Sequence, residues 1–440
     1  MIRHYLTNIT PDSFSGIIFA GEGIKNALVF LNGPTGCKFY HGAIAAYQGL
    51  TQKEFDAMSY SDLWLFGQAR VPCTYLDKRD YVYGSREKII DGINFLKDTY
   101  KCELLVIVNS PGAALIGDDL SGITEMFERD FPIIAIETSG YSKMIWDGYS
   151  DFCVRLIQKT ASGKRNKDVQ KSTKKKVNIL GLSIYHKYYR GDSYELRKML
   201  KLCDIDVNCI LCANSTLEEI GNMKNTDLNI VLHKDYGLES AKMLEEIYGT
   251  PYYVGDMPIG FSQSERFIGD ICELLNADSQ GFLDYSNRAR ADAYIHISRL
   301  NSLTGLPKGT KFAINASCEE CLAYSKFLVS YFGMVAECVS VIGDEDRNYK
   351  KSMDYKELEE FLASHNMADA LECDILMSKA GLVFADGNVI AQLKVRNHSF
   401  SGIEIGLPSI GYTDVIPKTH IGVKGALLLC EQVVNGVMFS

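Results

Sequence analysis

The sequence predicts an α/β fold: three Rossmann-like, doubly wound domains, each built on a parallel sheet. Three observations carry this. Short apolar runs end repeatedly in Gly-, Ser- or Asn-rich loops. Amphipathic stretches alternate with those runs, as parallel sheets with crossover helices require. The 440 residues suit about three domains of ~100–200 residues each.

In the first domain ALVFL (27–31), LLVIV (104–108) and PIIAI (132–136) read as strands. They run into NGPTGC, NSPGAALIGDDL and ETSGYS. From Ser162 to Lys176 the chain carries seven Lys or Arg with no apolar periodicity. Interleaved aromatics are missing there too, so residues 166–176 read as a solvated linker rather than a nucleic-acid patch. VNILGLS (177–183), VNCILCA (207–213) and NIVLH (229–233) give the strands of a second domain. SYELRKMLKLC (193–203) and GLESAKMLEEIYG (237–249) give its helices, the latter stopping on a glycine. A third unit opens at GTKFAINAS (309–317) and continues through a helix to Gly333. Strand AECVSVI (336–342) and helix DYKELEEFLASH (354–365) follow. The expected domains are 1–165 joined by a C-terminal return 405–440, then 177–304, then 305–404.

Composition narrows the function. Apolar residues make up 46% and charged residues 23%, ordinary values for a globular chain with buried cores. A net charge of −9 argues against nucleic-acid binding through a general basic footprint. No apolar run reaches the ~20 residues of a membrane span. The N-terminal MIRHYLTNITPDSF lacks the basic-then-apolar layout of a signal peptide. A cytoplasmic protein is expected, and its thirteen cysteines should then be reduced thiols, most of them in the core. No GxxxxGK[ST] and no complete GxGxxG after a strand occur, so neither ATP nor a nicotinamide cofactor is expected on this chain.

In open parallel sheets ligands bind beyond the carboxyl ends of the strands. Four elements sit there. NGPTGC (32–37) sets Cys37 in a tight loop with Gly33 and Gly36. VPCTYLDKRDYVYGSREKIIDGI (71–93) places Cys73 before a charged turn. NSPGAALIGDD (109–119) and ETSGYS (137–142) complete the set. In this order and at these separations they resemble the first domain of the nitrogenase component 1 family. NSTLEEI (214–220), LHKDYGLESAKMLEEIYGTPYY (232–253), IEIGLPSIGY (403–412) and HIGVKGALLLCEQVVN (420–435) extend the resemblance over nearly the whole chain. That family includes nitrogenase catalytic subunits, cofactor-assembly homologues, and the dark-operative protochlorophyllide and coenzyme F430-pathway reductases.

The resemblance implies an iron–sulfur cluster at a subunit interface, fed by a separate ATP-hydrolysing reductase with a P-loop and a four-iron cluster of its own. Cys37 and Cys73 fall on the first two ligand positions, with Gly33 and Gly36 lining the cluster. Ser110 and Pro111 stand where the third ligand would be, and Asn32 where many relatives carry His. One four-iron cluster shared by two identical chains, two thiolates from each, satisfies this set. The residue matching the family's cofactor-anchoring cysteine is His233, also the candidate proton donor. The family's second anchor, a His near the C-terminal return, lacks a clear counterpart; Ser409 and Tyr412 lie nearby.

Beyond the family pattern, Ser317-Cys318-Glu319-Glu320-Cys321 opens a helix. A Cys-x-x-Cys there either holds a metal, acts as a dithiol of lowered pKa, or is a packed helix cap. With Cys212 and His233, Cys318 and Cys321 make a candidate second metal or redox site between the second and third domains. The functional expectation is a homodimeric iron–sulfur oxidoreductase reducing a small molecule in an interdomain cavity. A cofactor-assembly scaffold and a metal-free binding protein are its rivals.

Overall fold

The computed structural model describes residues 11–34, 36–37, 71–99, 102–129, 132–137, 143–161, 174–343, 349–396 and 398–438. Most of the basic linker and the loop 138–142 lie outside these residues. The contacts divide the chain into two compact units. One gathers Thr10–Tyr185 and Val207–Val254, the other His186–Asp206 and Gly255–Ser440, as far as their described residues go.

The first unit carries two sheets. Strands β1 (Ala27–Asn32), β2 (Leu104–Asn109) and β3 (Ile133–Ile136) pair in parallel in that order. Strands β4 (Lys175–Leu180), β5 (Ile205–Ile210), β6 (Leu228–Val231) and β7 (Tyr252–Val254) form a second sheet of order β5-β4-β6-β7. Both β1 and β2 are buried along their whole length, which is why they read as unbroken apolar runs rather than alternating ones. Ile89, Ile93 and Leu96 of the helix Arg86–Thr99 close the β1–β2 face with Leu120, Ile123 and Phe127.

Helix α1 (Ser13–Glu22) is buried along its full length and packs against α2 (Ile145–Thr160). The approach is close enough to demand glycine: a Cβ on Gly148 would fall 1.8 Å from the Ser13 carbonyl oxygen. Asp12 caps α1, its carboxylate accepting the Ser15 N–H at 3.1 Å. Helix α3 (Lys234–Tyr248) ends on Gly249 in the left-handed conformation, the stop the sequence indicates.

The second unit holds the helix α4 (Gln280–Thr304) and one parallel sheet of order β11-β10-β8-β9. Its strands are β8 (Lys311–Ser317), β9 (Val335–Ile342), β10 (Leu382–Asp386) and β11 (Ser401–Gly406). Helix α5 (Cys318–Phe332) links β8 to β9. The last helix, α6 (Gly422–Met438), packs on β10, β11, α4, Phe261–Leu275 and Tyr189–Lys201. Its apolar face, Val423, Ala426, Leu429, Cys430 and Val433, is what that packing buries.

Candidate iron–sulfur site

The carboxyl ends of β1 and β2 bring Cys37, Cys73 and Ser110 together. After Asn32 the chain turns at Gly33-Pro34, and the Cys37 N–H donates to the Pro34 carbonyl at 3.2 Å. Cys73 joins the same end of the sheet, because residues 72–74 add a parallel bridge to β1. The Leu31 N–H donates to the Pro72 carbonyl at 2.9 Å, and the Thr74 N–H to the Leu31 carbonyl at 3.0 Å. The Ser110 N–H donates to the Asn32 carbonyl at 2.8 Å, and its hydroxyl accepts the Ala113 N–H at 3.3 Å.

A buried polar network fixes these three loops. Asn32 is wholly enclosed. Its amide donates to Asn109 Oδ1 at 2.9 Å and Ser85 Oγ at 3.1 Å, and its Oδ1 accepts the Thr74 hydroxyl at 2.8 Å. The Thr74 hydroxyl also takes the Gly33 N–H at 3.0 Å. Ser85 is tied in turn to Asp118, its N–H donating to Oδ2 at 2.8 Å. Gly33 is a packing requirement, since an added Cβ would lie 2.7 Å from Ser110 Oγ. At Gly36 a Cβ would meet no described residue within 4 Å. This network sets an expected result. Thr74→Val keeps the shape but leaves the Gly33 N–H and Asn32 Oδ1 unpaired, at a cost of about 2 kcal/mol. Urea unfolding measures that loss, and metal-free Cys73 should react faster with a thiol reagent because its strand bridge loosens.

The electrostatics favour the neutral form of the Cys37 thiol. Burial pushes the half-buried Cys37 thiol above its ordinary value, and the charge of Asp12 and the neighbouring Cys73 add to that. A hydrogen bond with Ser110 works the other way. A thiol that resists ionisation becomes a thiolate when a bound metal ion replaces its proton. The donor set therefore fits a soft metal centre, and it supplies two thiols per chain. Among the described residues, no group of three or more His, Cys, Asp or Glu side chains could hold a metal ion.

The second candidate set falls differently. Cys212 is fully buried, with its sulfur 3.7 Å from that of Cys153 on α2, and burial holds its thiol well above the ordinary range. Cys321 is fully buried as well; its thiol donates to the Ala316 carbonyl at 3.5 Å, in the core of its own sheet. The expectation of a low-pKa dithiol fails at Cys321, because burial outweighs the helix N-terminus and pushes its thiol well up. Ser317 and Glu320 form a reciprocal capping box there, so the motif starts a helix. Cys318, half-buried on the first turn of that helix, remains nearer the surface. His233 caps α3 with extended backbone, is 5% exposed, and meets the Tyr236 ring edge-on at 6.2 Å.

Two features escaped sequence reasoning. His420 is buried and neutral, burial driving its pKa down to about 3. Its ring nitrogens are taken by Tyr324 and Gln432, both at 2.8 Å, so it does not replace the missing family histidine as a ligand. Lys187 is enclosed with Glu404 and Asp414 beside a cleft of ≈ 260 Å³. Neither has a local signature, because the pairings of His420 with Tyr324 and of Lys187 with Glu404 and Asp414 join residues far apart in sequence.

A family model for nitrogenase component 1 type oxidoreductases matches residues 13–438. The chain belongs to that family. It is 26% identical over 221 residues to a subunit of the light-independent protochlorophyllide reductase of Methylobacterium radiotolerans, covering 50% of this chain and 41% of that protein. The same subunit from Prochlorococcus marinus is 27% identical over 282 residues, covering 62% and 52%. The chain thus spans about half the length of these curated relatives. Among solved structures, "Nitrogenase Cp1 at pH 6.5" superposes with a TM-score of 0.78 at 17% identity, covering 100% of this chain and 95% of that one. "Nitrogenase Cp1 at pH 5" gives 0.72 at 19%, covering 98% and 89%. This likeness establishes the family fold. No helix among the described residues is long and apolar enough to cross a membrane.

Proposed function

We propose that this chain is the catalytic component of a nitrogenase-like reductase, and that two copies hold one four-iron cluster through Cys37 and Cys73 of each. The observation that carries the reading is the half-site itself: two thiols at the carboxyl end of β1, near enough to interact electrostatically, with Ser110 where the family has a third ligand. Four thiolates from a symmetric pair of chains suit a cubane, and a two-fold axis delivers ligands in equal pairs. When bound, such a cluster supplies storage and transfer of single electrons.

The chain's own residues hold and shield it. Asn32 and Thr74 fix the two cysteine loops, and Gly33 lets β1 turn against Ser110. Electrons come from a separate ATP-dependent iron–sulfur protein with a P-loop, since this sequence has none. His233 serves as the proton donor toward a small-molecule substrate. All thirteen cysteines are free thiols, which suits a reducing, cytoplasmic home.

Anaerobic purification with iron and acid-labile sulfide analysis, together with electron paramagnetic resonance, tests the reading. About four irons per dimer and a cubane signal are expected. A preparation with fewer than about two irons per dimer removes the cluster and leaves a metal-free binding protein. Iron present but passed to a recipient protein, without turnover alongside a reductase, favours an assembly scaffold.

A further inference from the structure

We infer that Cys373 and Cys338 form a reversible oxidation site, where Cys373 reacts with a small cationic disulfide and Cys338 then closes an internal disulfide. Neither residue belongs to the candidate iron–sulfur site, and the inference does not depend on it.

Two neighbouring segments bring the pair together. Cys338 lies on β9, 1% exposed, in an apolar core with Ala313 and Val383, against which Cys373 packs. Leu371 bridges Val339 of β9 in parallel, and the Glu372 N–H donates to the Val339 carbonyl at 2.9 Å. Continued straight, that register would set Cys373 opposite Val341. Glu372 instead takes the left-handed conformation, with φ 60°, and the chain turns back. The Cys338 thiol therefore donates to the Cys373 carbonyl at 3.3 Å. The Cys373 thiol reaches the carbonyl of Glu337, next to Cys338, at 3.8 Å, and the two thiols share a hydrogen bond.

The pair is asymmetric, as two-step thiol exchange needs. Cys373 is half-buried between exposed Glu372 and Asp374, so a reagent can reach it, and the acidic flank attracts a cation. Burial pushes the Cys338 thiol up, which keeps it neutral until its partner has reacted. The Cys373 sulfur attacks one sulfur of the reagent, whose S–S bond breaks; the departing half leaves as a thiol with the Cys373 proton. The Cys338 sulfur then attacks Cys373, and the second half leaves with the Cys338 proton. The two cysteines lose two electrons and the reagent gains them. Contact within one chain offsets the reluctance of Cys338 to ionise. Cys153 and Cys212 have the contact, with sulfurs 3.7 Å apart, but both are wholly buried and should not react.

The test treats the full chain, purified anaerobically, with cystamine. Remaining thiols are then alkylated in denaturant and the peptides read by mass spectrometry. Wild type should lose the Cys338 and Cys373 thiols together, as one cross-linked peptide pair without retained cysteamine, and dithiothreitol should restore both. Cys338→Ala should hold one cysteamine on Cys373, whereas Cys373→Ser should leave Cys338 unmodified. Raising the salt to about 0.5 M should slow the wild-type reaction at least about threefold. Wild type that keeps cysteamine on Cys373 beside a free Cys338 overturns the pairing, and two untouched thiols overturn the site. A Cys373→Ser protein that takes cysteamine on Cys338 overturns the order of attack. A rate indifferent to salt overturns the preference for a cation.

Discussion

Replacing Cys37 with alanine is expected to strip the iron from the protein and to weaken its dimer in the same step. The two effects are tied because each chain holds only half of the ligands. Losing one thiol per chain removes half of the four, and the remaining Cys73 pair cannot close a cubane alone. Iron should fall below about a tenth of the wild-type content. Cys37→Ser is a sharper comparison, because it keeps the size and the hydrogen-bonding capacity of the side chain but substitutes a hard oxygen for a soft sulfur. It should lose nearly as much iron as alanine. Cys430→Ala, in the buried face of α6, is the control that leaves iron unchanged. A Cys37→Ala protein that keeps four irons per dimer would show that the cluster is held by other residues.

Much of the fold was legible because its strands are buried on both faces. LLVIV at 104–108 and ALVFL at 27–31 are continuous apolar runs, and the observed β2 and β1 extend each by one polar residue, Asn109 and Asn32. Those two asparagines are where backbone order passes into the side-chain network of the site, so the strand end and the site begin at the same residue. Helix α1 was not legible. It is buried on every side, and a helix without a polar face carries no 3.6-residue period. Cys37 and Cys73 came from loop chemistry and family resemblance; Cys73 bridges β1 at Leu31, and its charge is felt at Cys37. Cys212 and Cys321 illustrate the limit of motif spacing. Spacing says that a thiol lies near a strand end, but the direction of the side chain depends on packing from distant segments: α2 for Cys212, and β9 for Cys321 through the Ser340 carbonyl.

The second large effect belongs to Lys187, whose ammonium is almost completely enclosed. Side-chain exposure is 3% for Lys187, 1% for Glu404 and 20% for Asp414. Lys187 lies 2.9 Å from Asp414 and 3.4 Å from Glu404, and it donates to Ser409 Oγ at 2.7 Å. Glu404 also accepts the Gly411 N–H at 2.6 Å, the Ile410 N–H at 3.1 Å and the Ser409 hydroxyl. This cluster ties the segment after β11 to the start of the helical region at Tyr189–Lys201. Lys187→Met keeps the apolar stem but leaves two carboxylates without their shared cation. Removing one partner of a buried pair costs about 3–5 kcal/mol, far more than the intact pair contributes over an apolar substitute. The double variant Lys187→Met/Glu404→Gln should therefore be more stable than Lys187→Met alone, since it also removes the stranded charge. The pH dependence has a definite sign. Burial pushes the Asp414 carboxyl up, but hydrogen bonds and charge from Lys418 and Lys187 prevail and hold it below its ordinary value. A carboxyl depressed in the folded state contributes stability above its unfolded pKa of about 3.9, and that contribution is lost as the pH falls through the folded value. Lys187→Met gives up part of this contribution. The gap in unfolding free energy between wild type and variant should thus be widest near pH 7 and narrow steadily below about pH 4. Urea titrations of both proteins across that range measure it. A gap that widens with acid would mean that Asp414 is not the carboxylate Lys187 supports.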